Sequence, residues 1–293
     1  MKTLHIGSII IDRLVESESA SMDPNFLFPE ANMYSISSEL DWLEPYFFDK
    51  KIGKLIMSFH TYVIRANNLT ILVDTCVGNN KNRPNRPFWN QLNSPYLRNL
   101  KNLGVHTDEV DYVLCTHLHS DHVGWNTKLE NGVWVPTFPN AKYIFAKKEY
   151  KFWENAAKEN PEVVNHGAFA DSVLPVMQSG QVVLVDSDHS INNDIFLEPA
   201  PGHTPGNVVI NIQSQGDKAI LCGDTIHHPI QLSYPQWSSR FCEDKNQSFV
   251  TRKTLIEQVA DTHAYILPAH FPYPTVGKII LQKSKFKLKI KNI

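Results

Sequence analysis

Six residues constrain this chain more than any others: His117-Leu118-His119-Ser120-Asp121-His122. They follow directly on residues 111–116, an apolar run that reads as a short strand. The six therefore sit on a loop at a strand's end, where a rigid scaffold can present side chains to a ligand. Imidazole nitrogens and carboxylate oxygens in this mixture suit zinc. Donors packed this closely cannot easily converge on one ion, because adjacent side chains point in different directions. Dividing them between two neighbouring ions removes the difficulty, and two ions require further ligands.

The chain offers those ligands just beyond other apolar strands. His203 lies in the turn-rich Pro201-Gly202-His203-Thr204-Pro205-Gly206, Asp224 in Cys222-Gly223-Asp224-Thr225, and His270 in Pro268-Ala269-His270-Phe271. Taken singly, each reads as a hydrogen-bonded loop residue. Taken with the cluster, in this order and each at a strand end, they read as the rest of a ligand set. His5, His106, His166, His189 and His263 stand apart from any such pattern and read as surface or structural residues.

Composition narrows the remaining classes. With 42% hydrophobic and 20% charged residues over 293 positions, the chain can bury a full core, and no linker or repeat divides it, so one domain spanning 1–293 is expected. A net charge of −2 argues against nucleic acid as a partner, since phosphate contacts need a basic surface. The exception is residues 283–291, where lysines alternate with Phe286, Leu288 and Ile290. That pattern reads as an edge strand with a solvated lysine face, the alternative being an anionic or membrane partner. The N-terminal apolar run is too short for a signal-peptide core, and no run approaches the ~18 apolar residues of a membrane span. The four cysteines, Cys76, Cys115, Cys222 and Cys242, form no CxxC pair and read as buried free thiols, which fits a reduced, cytoplasmic setting.

Residues 4–14 read as a strand, 16–30 as a loop, and 55–64 with 69–73 as a hairpin turning at Asn67-Asn68. Residues 79–87 read as an exposed loop. Helices are expected at 96–103, 147–158, 168–178 and 248–262, and strands at 182–185, 208–212, 219–222 and 265–267. Strands in blocks with helices between them suggest an α/β architecture of two sheets flanked by helices.

The motifs Asp74-Thr75, THLHSDH, PGHTPG, GDT and the late PAH resemble, in order, the markers of the metallo-β-lactamase-fold hydrolase superfamily, nearest to the acyl-homoserine lactonase and methyl-parathion-hydrolase branch. The resemblance implies an αβ/βα four-layer sandwich with a dinuclear site at one edge. It implies that His117, His119 and His203 hold a first zinc, Asp121, His122 and His270 a second, and that Asp224 bridges both, with Mn, Fe or Co as substitutes. Asp74 would orient a ligand. The implied reaction is attack by a metal-bridging hydroxide on a lactone, carboxylic ester or phosphotriester, a small-molecule substrate. Asp121 would orient the hydroxide or shuttle its proton. His227 stands where the lactonases carry a tyrosine, three residues after the bridging aspartate, and is the candidate acid at the leaving group. Asn207 replaces a histidine of the family's usual PGHTPGH.

Two other activities share this fold. A glyoxalase-II-like thioesterase would append a helical region after the late ligand, and little chain follows His270. A mononuclear-iron sulfur oxygenase, or a binding protein that has lost catalysis, would lack ligands, and the set here is complete. Trp125, Phe271 and Phe26-Leu27-Phe28 are candidates for an apolar substrate pocket, the last also for a lid or, with residues 4–14, a homodimer contact.

Overall fold

Two neighbouring strand ends carry the first ligand loop, and the hairpin before them sets their register. The computed structural model describes residues 2–290. By its internal contacts the chain divides into two compact units, one of residues 3–16 and 59–187, the other mainly of residues 17–58 and 188 onward.

In the first unit, Lys54–Ala66 pairs antiparallel with Leu69–Val73, in the register Tyr62↔Val73 to Ala66↔Leu69. Asn67 and Asn68 make the turn at φ 50° and 65°, the left-handed conformation that asparagine tolerates and this hairpin type requires. Leu69–Val73 runs parallel to Tyr112–Leu114, that strand to Lys142–Ala146, and that one to Val182–Val185. The central parallel strands are covered on both faces, which explains their apolar middles, whereas Val183 of the last strand is exposed. Val63, Leu72, Val113, Phe138, Tyr143 and Phe145 form the centre of the core. The helices Tyr96–Asn102, Lys147–Ala157 and Leu174–Gln178 fall where their spacing predicts, the last entered through a π-turn at Phe169–Val173.

Two expectations for this unit change. Residues 4–14 are a hairpin, Leu4–Ile6 with Ile9–Met22, turning at Gly7 (φ 52°). Its second strand runs on through residues 16–22, whose polar side chains gave no alternation to read; a strand needs only its backbone ladder. The stretch 79–87 is an irregular loop, yet Lys81 and Arg83 within it are fully buried. Arg83 grips Asp171 through both terminal nitrogens (2.6 and 2.9 Å). Lys81 donates to Thr127 Oγ1 at 2.6 Å and lies 3.6 Å over the Trp134 ring. Buried cations survive only with such partners, and a sequence does not display them.

The second unit is built on a six-stranded sheet in the order Ile195–Pro199, Val208–Ser214, Asp217–Gly223, Tyr265–Pro268, Gly277–Gln282, Lys285–Ile290. Only Asp217–Gly223 and Tyr265–Pro268 are parallel, and Gly223 lies opposite Pro268. These two strands therefore end side by side and release Asp224 and His270 at the same edge. The helix Lys245–Val259 starts three residues earlier than its apolar spacing suggests, because Asp244 caps it by accepting Gln247 N–H at 2.9 Å. Lys285–Ile290 is the edge strand expected; Lys289 is exposed, Lys285 is partly exposed and paired with Glu39 (2.5 Å), and Lys287 is paired with Asp41 (3.4 Å). Lys291 lies outside the described residues. Leu27 and Phe28 belong to the core, Phe28 against Trp237, so the 26–28 run is not a lid; only Phe26 reaches the surface, under Arg240. All four cysteines are buried and unpaired. Among the described residues no helix is long and apolar enough to cross a membrane.

Candidate metal centre

In the first unit the ligand loop leaves the strand Tyr112–Leu114 and is met at once by Asp74, which leaves the parallel neighbour Leu69–Val73. Asp74 N–H binds Leu114 O at 2.9 Å, and the aspartate side chain turns back to the loop. Its Oδ1 accepts Thr116 N–H (2.8 Å), and its Oδ2 accepts both the Thr116 hydroxyl (2.9 Å) and His122 Nδ1–H (2.9 Å). His117 Nε2 faces His119 Nδ1 at 3.0 Å, the two rings nearly perpendicular, and the His122 ring lies 4.0 Å from that of His117. His122 Nε2 is 3.9 Å from Asp121 Oδ2.

In the second unit Asp224 is the hub. Its Oδ2 lies 3.2 Å from His203 Nε2 and 3.3 Å from His227 Nε2, and its Oδ1 lies 3.0 Å from His270 Nε2. His203 enters through a turn that only glycine can precede. Gly202 has φ 126°, and a Cβ there would stand 2.2 Å from Ser248 N. Asn207 closes the same turn by donating to Ala200 O and Thr225 Oγ1. His227 is fully buried, and burial holds its imidazole below the usual histidine range in spite of the neighbouring Asp224 carboxylate. Its Nδ1 makes no hydrogen bond. The adjacent His228 is structural: its Nε2 bonds Phe47 O at 2.8 Å, and burial lowers its pKa to about 3.

The hydrogen bonds assign the tautomers. The Thr116 hydroxyl gives its proton to Asp74, so it accepts from His117 Nδ1 (3.1 Å). His122 Nδ1 donates to Asp74, and His270 Nδ1 donates to Ser58 O (3.0 Å). His203 Nδ1 faces Cys242 Sγ at 3.6 Å, a sulfur whose own proton goes to Ser248 Oγ. In each of these imidazoles Nδ1 is the donor, so in the neutral ring Nε2 is the unprotonated nitrogen, the state a divalent cation needs. Two of those nitrogens, from His203 and His270, point at the Asp224 carboxylate. Electron-rich atoms facing one another at this range fit a cation between them, so the donor set suits the ions inferred from the sequence. The chain carries a His/Asp cluster that is a candidate metal site.

Residues 60–270 match the family model described as the metallo-beta-lactamase superfamily. The chain belongs to that superfamily. Over 181 residues it is 25% identical to the N-acyl homoserine lactonase AiiA of Bacillus thuringiensis subsp. kurstaki, a match covering 58% of this chain and 64% of the lactonase. The chain thus spans less than two thirds of the curated relatives it first matches. Solved structures extend the likeness in fold to the whole chain. AidC, a dizinc quorum-quenching lactonase in complex with a product, superposes with a TM-score of 0.79 at 22% identity, covering 100% of this chain and 97% of that one. The hydrolase AbOPH of the beta-lactamase superfamily gives 0.80 at 24%, covering 99% and 97%. The mixed α/β architecture is the one this superfamily has.

Trp125 and Phe271, candidates for a substrate pocket, are packed inside their units. Trp125 stacks on Tyr96 at 4.9 Å and donates to Glu16 at 2.6 Å, and Phe271 packs on Phe47. Sequence reasoning passed over Glu149 and Asn165, both of which bind the ligand-loop backbone. A glutamate on an amphipathic helix reads as surface. Asn165-His166-Gly167, by contrast, carries a turn signal that could have drawn attention.

Proposed function

We propose that this superfamily member is a dinuclear metal-dependent hydrolase of a lactone or other carboxylic ester, with phosphotriesters as the second substrate class. His117, His119 and His203 would hold one ion, Asp121, His122 and His270 the other, and Asp224 would serve both. Zinc is the first choice of metal, since the set is imidazole and carboxylate without thiolate. The observation that carries this reading is the tautomer pattern: Nδ1 is engaged by a protein acceptor and Nε2 left unprotonated in His117, His122, His203 and His270. The division of the two Asp224 oxygens between His203 and His270 supports the bridging role.

When bound, such ions supply Lewis acidity toward a substrate oxygen and a nucleophilic water at neutral pH. The chain's own residues do the rest. Asp74 and Thr116 lock His117 and His122 in their ligating tautomers. Asp121, the more open carboxylate with a side chain 14% exposed, would take a proton from water and return it to the leaving oxygen. His227, held beside Asp224 and stacked on His270, would offer a hydrogen bond to an oxygen of the substrate. The lactonase relatives favour the ester over the thioester reading. Four buried free thiols support a reducing, cytoplasmic compartment.

The test is elemental analysis of protein purified without chelator, joined to a panel of an acyl-homoserine lactone, an aryl ester, a phosphotriester and S-lactoylglutathione. About two zinc ions per chain and lactone or ester turnover, both lost in Asp224→Ala, are expected. A single iron with no hydrolysis of any panel member would overturn the proposal.

A further inference from the structure

The loop bearing His117, His119, Asp121 and His122 is held from behind by side chains that the chemistry above does not use. Leu118 sits between the first two histidines, and both of its peptide groups are claimed. Its N–H donates to Glu149 Oε1 at 3.0 Å, and its carbonyl accepts Asn165 Nδ2 at 2.6 Å. The same Asn165 amide accepts Ser120 N–H through Oδ1 at 3.0 Å. One planar group therefore binds the C=O before His119 and the N–H after it, as a neighbouring strand would. Glu149 is itself buried, and it also accepts Trp153 Nε1 at 2.6 Å, while the Trp153 ring lies 5.2 Å from that of His119.

The backbone beneath Asn165 is unusual. Asn165, His166 and Gly167 are consecutive left-handed residues, with φ 50°, 56° and 83°. The turn is anchored on its far side, where His166 O accepts Arg83 Nη1 at 2.7 Å and Arg83 is tied to Asp171. Such a conformation is costly outside glycine and persists where the surroundings impose it. Its effect here is to aim one amide at the loop.

We infer that Asn165 is a positioning residue for the candidate metal centre: by bridging Leu118 and Ser120 it sets the directions in which His117, His119 and Asp121 present their donor atoms. This rests on the metal reading of the loop given above. A turn alone would be served equally by glycine, which adopts the same φ at no steric cost. The bridge needs a side chain with a donor and an acceptor in one plane.

Asn165→Gly separates the two roles, keeping the left-handed backbone and removing the amide. Zinc affinity would be measured by competition with a chromophoric chelator, ligand geometry by the visible spectrum of the cobalt-substituted protein, and the fold by thermal unfolding of the metal-stripped chain. The expected result is a loss of zinc affinity of roughly 10-fold or more with an altered cobalt spectrum, as for other residues that orient ligands. The metal-free unfolding midpoint should stay near that of the wild type. Wild-type affinity and an unchanged spectrum in Asn165→Gly would overturn the inference, as would an affinity loss matched by a collapse of the metal-free fold. A wild-type chain that takes up no zinc would overturn the functional proposal and this inference together, whereas normal zinc uptake by both proteins with the same cobalt spectrum would overturn the positioning role alone.

Discussion

Replacing Asp74 by asparagine turns one carboxylate oxygen into an NH2 group and leaves the outline of the side chain almost unchanged. The neighbours decide which oxygen is lost. Thr116 N–H lies 2.8 Å from Oδ1 and can only donate, so the amide oxygen must stay there. The NH2 group then occupies the Oδ2 position, facing Thr116 Oγ1 and His122 Nδ1, each 2.9 Å away. Donating to His122 Nδ1 forces the imidazole proton onto Nε2, the nitrogen that would bind the ion; flipping the amide instead sets NH2 against N–H. The first arrangement removes one ligand in its working tautomer; the second keeps the tautomer but sets two donors against each other at Thr116 and loosens the loop. Outer partners of metal-bound histidines are typically worth 10–100-fold in affinity, about 1.4–2.8 kcal/mol. Competitive chelation of zinc should therefore show Asp74→Asn weakened by that factor, and at least as impaired as Asp74→Ala, in which water can accept from Nδ1. Wild-type affinity in Asp74→Asn, or an alanine variant much worse than the asparagine one, would refute the tautomer argument.

Lys81 provides a pH test. Burial lowers its ammonium from 10.5 to about 7, so between those values the unfolded chain holds a proton that the folded chain has released. Stability should rise with pH across that window, and the cost of the buried charge is fully present below it. Urea unfolding of Lys81→Met should lack this rise, which in the wild type amounts to on the order of 5 kcal/mol at most; superimposable pH profiles would sink the idea. Gly202→Ala, with φ 126° and a new methyl carbon 2.2 Å from Ser248 N, should lose about 2 kcal/mol or more and unfold at lower temperature, and an unchanged midpoint would show the turn can yield.

What was legible in the sequence was chemistry concentrated at strand ends. THLHSDH, GDT and PAH follow apolar runs short enough to see, and the strands Tyr112–Leu114, Asp217–Gly223 and Tyr265–Pro268 release their donors where those runs stop. The Asn67-Asn68 turn was equally open to reading, because its residues state their backbone conformation. What could not be read depends on partners distant in the chain. Glu149 and Asn165 matter through their bonds to Leu118 and Ser120, and Lys81 and Arg83 look solvent-facing until Asp171 is seen beside them. The strand through residues 16–22 has no apolar alternation, and Leu27 and Phe28 look like an exposed patch in a polar stretch until the core that covers them is known.

The interleaving of the two units along the chain has a consequence for biosynthesis. Residues 3–16 and 59–187 make up one unit, so that unit is complete in sequence once residue 187 has left the ribosome. Residues 17–58 are made before most of it, yet the remainder of their own unit begins only at residue 188. At ordinary elongation rates the hundred or so residues after 187 take on the order of ten seconds to appear. During that interval Leu27, Phe28, Leu43 and Phe47, all buried in the finished protein, await the sheet of their own unit. Those four side chains are thus made early and covered late.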